Sequence, residues 1–201
     1  QSVLIEAARL LAERSRLADA VIVLAGDAQG RDGYVARLRS DIAAAGLGDR
    51  VRMPGHVSDM PAAFAAAFVT AVPSTEPEAF GRSAAEAQAM GCPVIASRLG
   101  APQETVLAPP EVDAGARTGW LVAPGDAGAL ADALEEVLQL DPGQRAAIGV
   151  RARRHVLAGF TLTAMKRATL KVYDRLLQTR LTAAFDGTCG VNRVAAPPES
   201  A

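Results

Sequence analysis

Short apolar runs alternate with stretches of helical period along this chain, and that alternation restricts the fold more than any other feature. Ala20 to Ala25 is continuously apolar and ends in Gly26-Asp27, the pattern of a buried parallel strand and its loop. Arg50 to Met53 (closed by Pro54-Gly55), Phe68 to Val72, Pro93 to Ala96 and Gly119 to Val122 read as further strands. Gln1 to Arg16 puts Val3, Leu4, Ala7, Ala8 and Leu11 on one helical stripe, and Tyr34 to Ala45 returns to helical period with Gly46 as its stop. Ser58 or Asp59 is placed to cap a helix to about Ala67, and Ser83 to Met90 is a helix ended by Gly91. A short helix is predicted within Gly100 to Leu107, then one capped by Asp126 to about Leu140 and one opened by Pro142 to about Leu157. A last long helix is predicted from Thr161 to about Thr182. Strands that alternate with helices through short loops predict an α/β domain with a doubly wound parallel sheet. Ligands of such sheets bind beyond the carboxyl ends of the strands, so the loops carrying Gly26, Gly55 and Glu78 should open on one edge. That domain is read as residues 1–182. Periodicity is lost from about Asp186, and residues 183–201, ending in two prolines, a glutamate, a serine and an alanine, are predicted to form a disordered tail. There is no internal repeat.

At 201 residues the chain suffices for one sizeable domain with a large core. Half the residues are hydrophobic but only 4% are aromatic, so Ala, Val and Leu must do the packing. A formal net charge of −1 offers no electrostatic basis for binding nucleic acid. Lysine occurs only at Lys166 and Lys171. Cys92 and Cys189 are far apart and match no metal-ligand spacing, which reads as a reducing compartment. No signal peptide opens the sequence, and the longest uncharged apolar stretch, Ala62 to Val72, falls short of the ~20 residues that span a bilayer. A soluble, cytoplasmic protein is the expectation.

The chemistry concentrates in residues 73–97. Glu78 and Glu86 stand eight positions apart across Phe80-Gly81, the first in a loop leaving a strand and the second inside the following helix. A strand, a glycine turn and a helix N-terminus make a seat for phosphate, because the first backbone N–H groups lack partners and the helix dipole favours an anion. A carboxylate on each side can accept hydrogen bonds from hydroxyls. The ligand class this predicts is a diphosphate carrying a polyol at each end, which describes a nucleotide sugar.

The run Glu78-Ala79-Phe80-Gly81, Glu86, and then Ala87, Ala89-Met90-Gly91 and Pro93-Val94-Ile95-Ala96-Ser97 resembles the Glu-x7-Glu signature of retaining glycosyltransferase family four, also called group 1. Val23-Leu24-Ala25-Gly26, Val51 with Met53-Pro54-Gly55, Gly100 with Glu104, and Gly119-Trp120-Leu121-Val122 with Pro124 and Asp126 fit the same pattern in the same order. The resemblance covers roughly residues 1–180. It implies the Rossmann-like C-terminal, donor-binding half of a GT-B enzyme. The whole enzyme would move a sugar from a nucleoside diphosphate sugar to a hydroxyl with retention of configuration. It further implies no cofactor and no bound metal, in keeping with the lack of an Asp-x-Asp near the strand ends. The opening Gln1 to Ala8 resembles the helix after the family's Gly-Arg-x4-Lys-Gly segment. That segment and an N-terminal acceptor-binding domain are therefore expected to be missing from what reads as a fragment, itself inactive.

By the same resemblance Glu86 should accept hydrogen bonds from the ribose, and Glu78 should face the donor sugar as the catalytic candidate. The plainer alternatives are a solvated helix glutamate and a loop carboxylate capping the Ser83 helix. Phe80, Gly81, Arg82 and Ser83 should offer backbone N–H groups to sugar and phosphate oxygens. Arg82 either reaches the diphosphate or faces outward. Gly26 and the turn from Pro54 to Val57 match loops the family lays near phosphates and base. His56 reads as a loop residue, His155 as surface helix and Cys92 as a small buried filler. Arg151, Arg153 and Arg154 read as a solvated face, with peripheral contact to acidic lipid as the unsupported alternative. Two other functions stay open. One is a nucleotide-sugar-binding module without chemistry; the other is a nucleotide-sugar epimerase of the same architecture, against which the Phe80-Gly81 context argues.

Overall fold

Every predicted strand forms in the computed structural model, which describes residues 1–17 and 19–189. They are β1 (Ile22–Ala25), β2 (Val51–Gly55), β3 (Thr70–Val72), β4 (Val94–Ser97) and β5 (Gly119–Val122). Between them run α1 (Ser2–Glu13), α2 (Asp32–Ala44), α3 (Met60–Ala66), α4 (Arg82–Ala89) and α5 (Pro102–Thr105). After β5 come α6 (Ala127–Leu138), α7 (Pro142–Gly159), α8 (Leu162–Leu177) and α9 (Leu181–Cys189). Several start where the sequence places a cap. The Asp59 and Asp126 carboxylates accept the Ala62 and Ala129 N–H groups at 2.9 and 2.8 Å, and the Thr161 hydroxyl accepts that of Ala164 at 3.1 Å. The chain divides into two units, Gln1–Leu157 and a second that begins at Ala158.

In the first unit all strands pair in parallel, β1 with β2, and β4 between β3 and β5. The expected single sheet is divided: among the described residues β1 and β3 are not paired with each other, so a two-stranded and a three-stranded sheet stand in its place. One core nevertheless serves both. Ile5, Ala8 and Leu11 of α1 and Leu38 and Ile42 of α2 share a buried cluster with Val51, Ile95, Trp120, Val122 and Leu130. On the opposite face Phe64, Ala84, Ala87 and Cys92 pack with Val72, Val94, Ala96 and Val106. Strand β4 is fully buried because successive side chains alternate between these layers, Ile95 into one and Val94 and Ala96 into the other. That is double winding, a parallel sheet with helices on both faces. Burying a side chain such as Ile95 contributes roughly 1.5–3 kcal/mol. Cys92 is the buried filler it reads as: its sulfur lies 3.3 Å from Thr70 Oγ1, and burial pushes its thiol up from the ordinary range.

Two surface readings change. Arg153 and Arg154 are exposed as read, Arg153 also donating to the Ala89 carbonyl, whereas Arg151 is half-buried and donates to the Arg117 carbonyl. In the second unit the single helix expected from Thr161 to Thr182 is two. The chain turns at Gln178 (φ 52°), and the Asp174 carboxylate accepts the Thr179 hydroxyl and the N–H groups of Leu181 and Thr182, capping α9 from within α8. The predicted tail therefore begins inside a helix, since α9 runs to Cys189, and its remainder lies outside the described residues.

Candidate functional site

The chain leaves β3 at Val72, and Glu78 is held beside the start of α4 by three contacts. Its backbone makes an isolated parallel bridge with Gly100, and its carbonyl accepts the Ala101 N–H at 3.1 Å. Its carboxylate accepts the Ser74 hydroxyl. The fit is close. A Cβ built on Gly100 (φ 69°) would stand 2.6 Å from the Glu78 carbonyl oxygen. A Cβ on Gly81 would lie 3.2 Å from Pro102 Cγ and 3.4 Å from Glu78 Oε2, which puts that carboxylate against the helix start.

Gly81 is the N-cap of α4 in the left-handed region (φ 68°), which a side chain disfavours. Among the described residues no side chain caps this helix. Glu78 is thus not the helix cap of the plainer reading. The Ala84 and Ala85 N–H groups turn back to the Gly81 carbonyl at 3.1 and 3.3 Å, and Arg82 and Ser83 at the first positions are exposed. Phe80, just before the cap, is 44% exposed. An α4 that begins at a bare glycine offers its N-terminal N–H groups and its dipole to an anion.

Glu86 lies one turn on from Arg82. Arg82 bends back, placing Nε 3.0 Å and Nη2 2.8 Å from Glu86 Oε1 instead of projecting forward. With the arginine side chain 80% exposed, such an i,i+4 pair is worth only about 0.3–0.5 kcal/mol. Hydroxyl donors on a ligand can displace it. The remaining candidates sit at the end of the other sheet. The Gly26 N–H donates to the Gly55 carbonyl at 2.9 Å, which brings the loops after β1 and β2 together; Val57 there is half-buried and His56 exposed. The structure thus gathers Glu78, Gly81, Arg82, Ser83 and Glu86 around one helix start, and Gly26 with the Gly55–Val57 turn at a separate strand end. Ser74, in a loop, and Pro102, at the start of α5, which touch the site, escape the sequence reading because each acts only through a tertiary contact.

A family model described as glycosyl transferases group 1 matches residues 1–155. The chain belongs to that family. As a group 1 glycosyl transferase chain it is 39% identical over 173 residues to D-inositol 3-phosphate glycosyltransferase of Kineococcus radiotolerans, covering 83% of this chain and 38% of the relative. It is 34% identical to the lipopolysaccharide core biosynthesis mannosyltransferase LpcC of Rhizobium leguminosarum, covering 72% of this chain and again 38% of the relative. The chain therefore spans well under half the length of these curated relatives. Among solved structures, a Rickettsia africae glycosyltransferase superposes with a TM-score of 0.77 at 30% identity, over 89% of this chain and 44% of that one. Anabaena HepE in complex with UDP follows at 0.73 and 28%, over 87% and 45%. The C-terminal domain of a Francisella tularensis group 1 family protein matches at 0.66 and 27%, over 80% of this chain and 79% of that one. The fold is the Rossmann-like half of a GT-B glycosyltransferase. Among the described residues no helix is long and apolar enough to cross a membrane.

Proposed function

We propose that this chain is the donor-binding, C-terminal half of a glycosyltransferase that moves a sugar from a nucleoside diphosphate sugar to a hydroxyl with retention of configuration. The observation that carries the reading is Glu78, locked by Gly100 and Ala101 against the glycine start of α4, with Glu86 on the same helix. The diphosphate sits on the first N–H groups of α4, where Gly81 lets its oxygens approach. Glu86 exchanges its weak pairing with Arg82 for the ribose hydroxyls, and the released guanidinium turns to the diphosphate. Glu78 meets the sugar and stabilises positive charge developing near the anomeric carbon. Charge on the leaving diphosphate is stabilised by fixed N–H dipoles and a cation that need little reorganisation during the reaction. The donor is a substrate, and no cofactor enters this scheme. A UDP complex of the similar HepE supports a nucleoside diphosphate as ligand class.

The acceptor-binding domain belongs, in this reading, to sequence preceding Gln1, which accords with a match over 38% of the first relatives. The divided sheet supports the same arrangement. One parallel strand from that sequence, entering between β1 and β3 and followed by α1, would join the two sheets over their common core.

The test separates the two carboxylates. Glu86→Gln should weaken nucleoside diphosphate binding by roughly 1–3 kcal/mol in calorimetry without altering the fold, because an ionised acceptor is lost. Glu78→Ala in the longer enzyme should reduce donor turnover more than it weakens binding of the bare nucleoside diphosphate. Unchanged affinity in the first variant removes Glu86 from the site, and equal losses in the second move Glu78 from the sugar to the nucleotide.

A further inference from the structure

Gln88 is fully buried on α4, among alanines that pack under the sheet, yet it carries an amide there. Its Nε2 donates to the Thr105 carbonyl at 2.8 Å and to the Ala84 carbonyl at 3.3 Å, while its Oε1 receives no hydrogen bond among the described residues. A buried acceptor left unsatisfied is a penalty that a methionine of similar size would not carry. The amide is therefore poorly explained as packing, and its one strong contact identifies its work. Thr105 closes α5, and the carbonyls at a helix end have no partner of their own. The other end of that short segment is what holds the site: Gly100 bridges Glu78, the Ala101 N–H holds the Glu78 carbonyl, and Pro102 abuts Gly81.

We propose that Gln88 is a positioning residue for Glu78: by tying Thr105 to α4 it fixes residues 100–102 against Glu78 and Gly81, and so sets the Glu78 carboxylate relative to the helix start. Gln88 follows Glu86 by two positions, which on a helix places the two on nearly opposite sides. One rigid helix thus presents Glu86 outward and, through Gln88, registers Glu78 from within. The inference rests on the role given to Glu78 above.

Gln88→Met keeps the volume and removes the donor. Native-state amide exchange in the labelled chain should quicken at Ala101 by about tenfold beyond any change at the core amides of β4, a local loosening that loss of general stability does not produce. In the longer transferase the same variant should lower kcat by about tenfold with donor KM within about twofold, since binding of the diphosphate is left to α4. Ala101 exchange that moves only with the β4 amides overturns the positioning role, whatever Glu78→Ala does to turnover. Local loosening at Ala101 combined with a silent Glu78→Ala upholds the positioning and removes Glu78 from the chemistry instead. Should Gln88→Met fail to fold, the unsubstituted chain decides: its Gln88 side-chain amide protons must exchange slowly, and exchange at the rate of an exposed glutamine overturns the proposal.

Discussion

A Cβ on Gly149 of α7 would stand 2.2 Å from the Gly91 carbonyl oxygen, inside any real van der Waals contact. Helix propensity favours alanine over glycine by about 1 kcal/mol inside a helix, whereas this contact opposes it, so the sign of the effect reveals which dominates. Gly149→Ala should destabilise the protein by about 1–3 kcal/mol, read from the midpoint of denaturant unfolding, because backbone cannot yield as a side chain does. At this scale Glu78 and Glu86 are legible from their spacing around Phe80-Gly81. Gly149 and Gln88 are not, since each is explained by a partner far along the chain: Gly91 for the first and Thr105 for the second.

Helix α8 shows how an element ends for reasons outside its own period. Helical spacing runs on through Thr161 to Thr182, but Asp174 reaches forward to the N–H groups of Leu181 and Thr182 and starts α9. Hydrogen bonds from Thr182, then Thr179 and the Leu181 N–H, hold the Asp174 carboxyl down at about 2, below the ordinary 3.8. A carboxyl depressed in the folded state contributes stability that is fully present above its unfolded value and lost as pH falls through its folded value. Protection of the Leu181 and Thr182 amides should therefore persist from neutral pH to about 4 and disappear towards pH 2, followed by amide exchange or NMR. Asp174→Asn should remove the pH dependence of that protection, and a decline already under way at pH 5 would contradict the assignment. By contrast the cap at Asp126, and one at Ser58 or Asp59, are readable in advance, because each serves the helix that immediately follows it; the structure chooses Asp59.

Over the whole molecule, the divided sheet leads to an expectation about activity. On the proposed division of labour, positioning an acceptor hydroxyl and excluding water from the donor fall to sequence outside residues 1–201. These residues should bind a nucleoside diphosphate weakly, if at all, and transfer no sugar from a panel of nucleoside diphosphate sugars in a product assay, and restoring preceding sequence should bring both affinity and turnover. Rapid transfer by residues 1–201 alone would contradict this arrangement. The alternation of apolar runs with helical segments determined the double winding, because a buried parallel strand and an amphipathic helix are each written in neighbouring residues. The Glu78–Glu86 block likewise carried its resemblance in one stretch of chain. Tertiary structure alone decided that β1 and β3 are not paired with each other, that Arg82 closes on Glu86, that Asp174 divides the last helix, and that Gly100 and Ala101, just before α5, clamp Glu78. Each of these depends on where a backbone or a side chain ends up in space, and local period does not encode that.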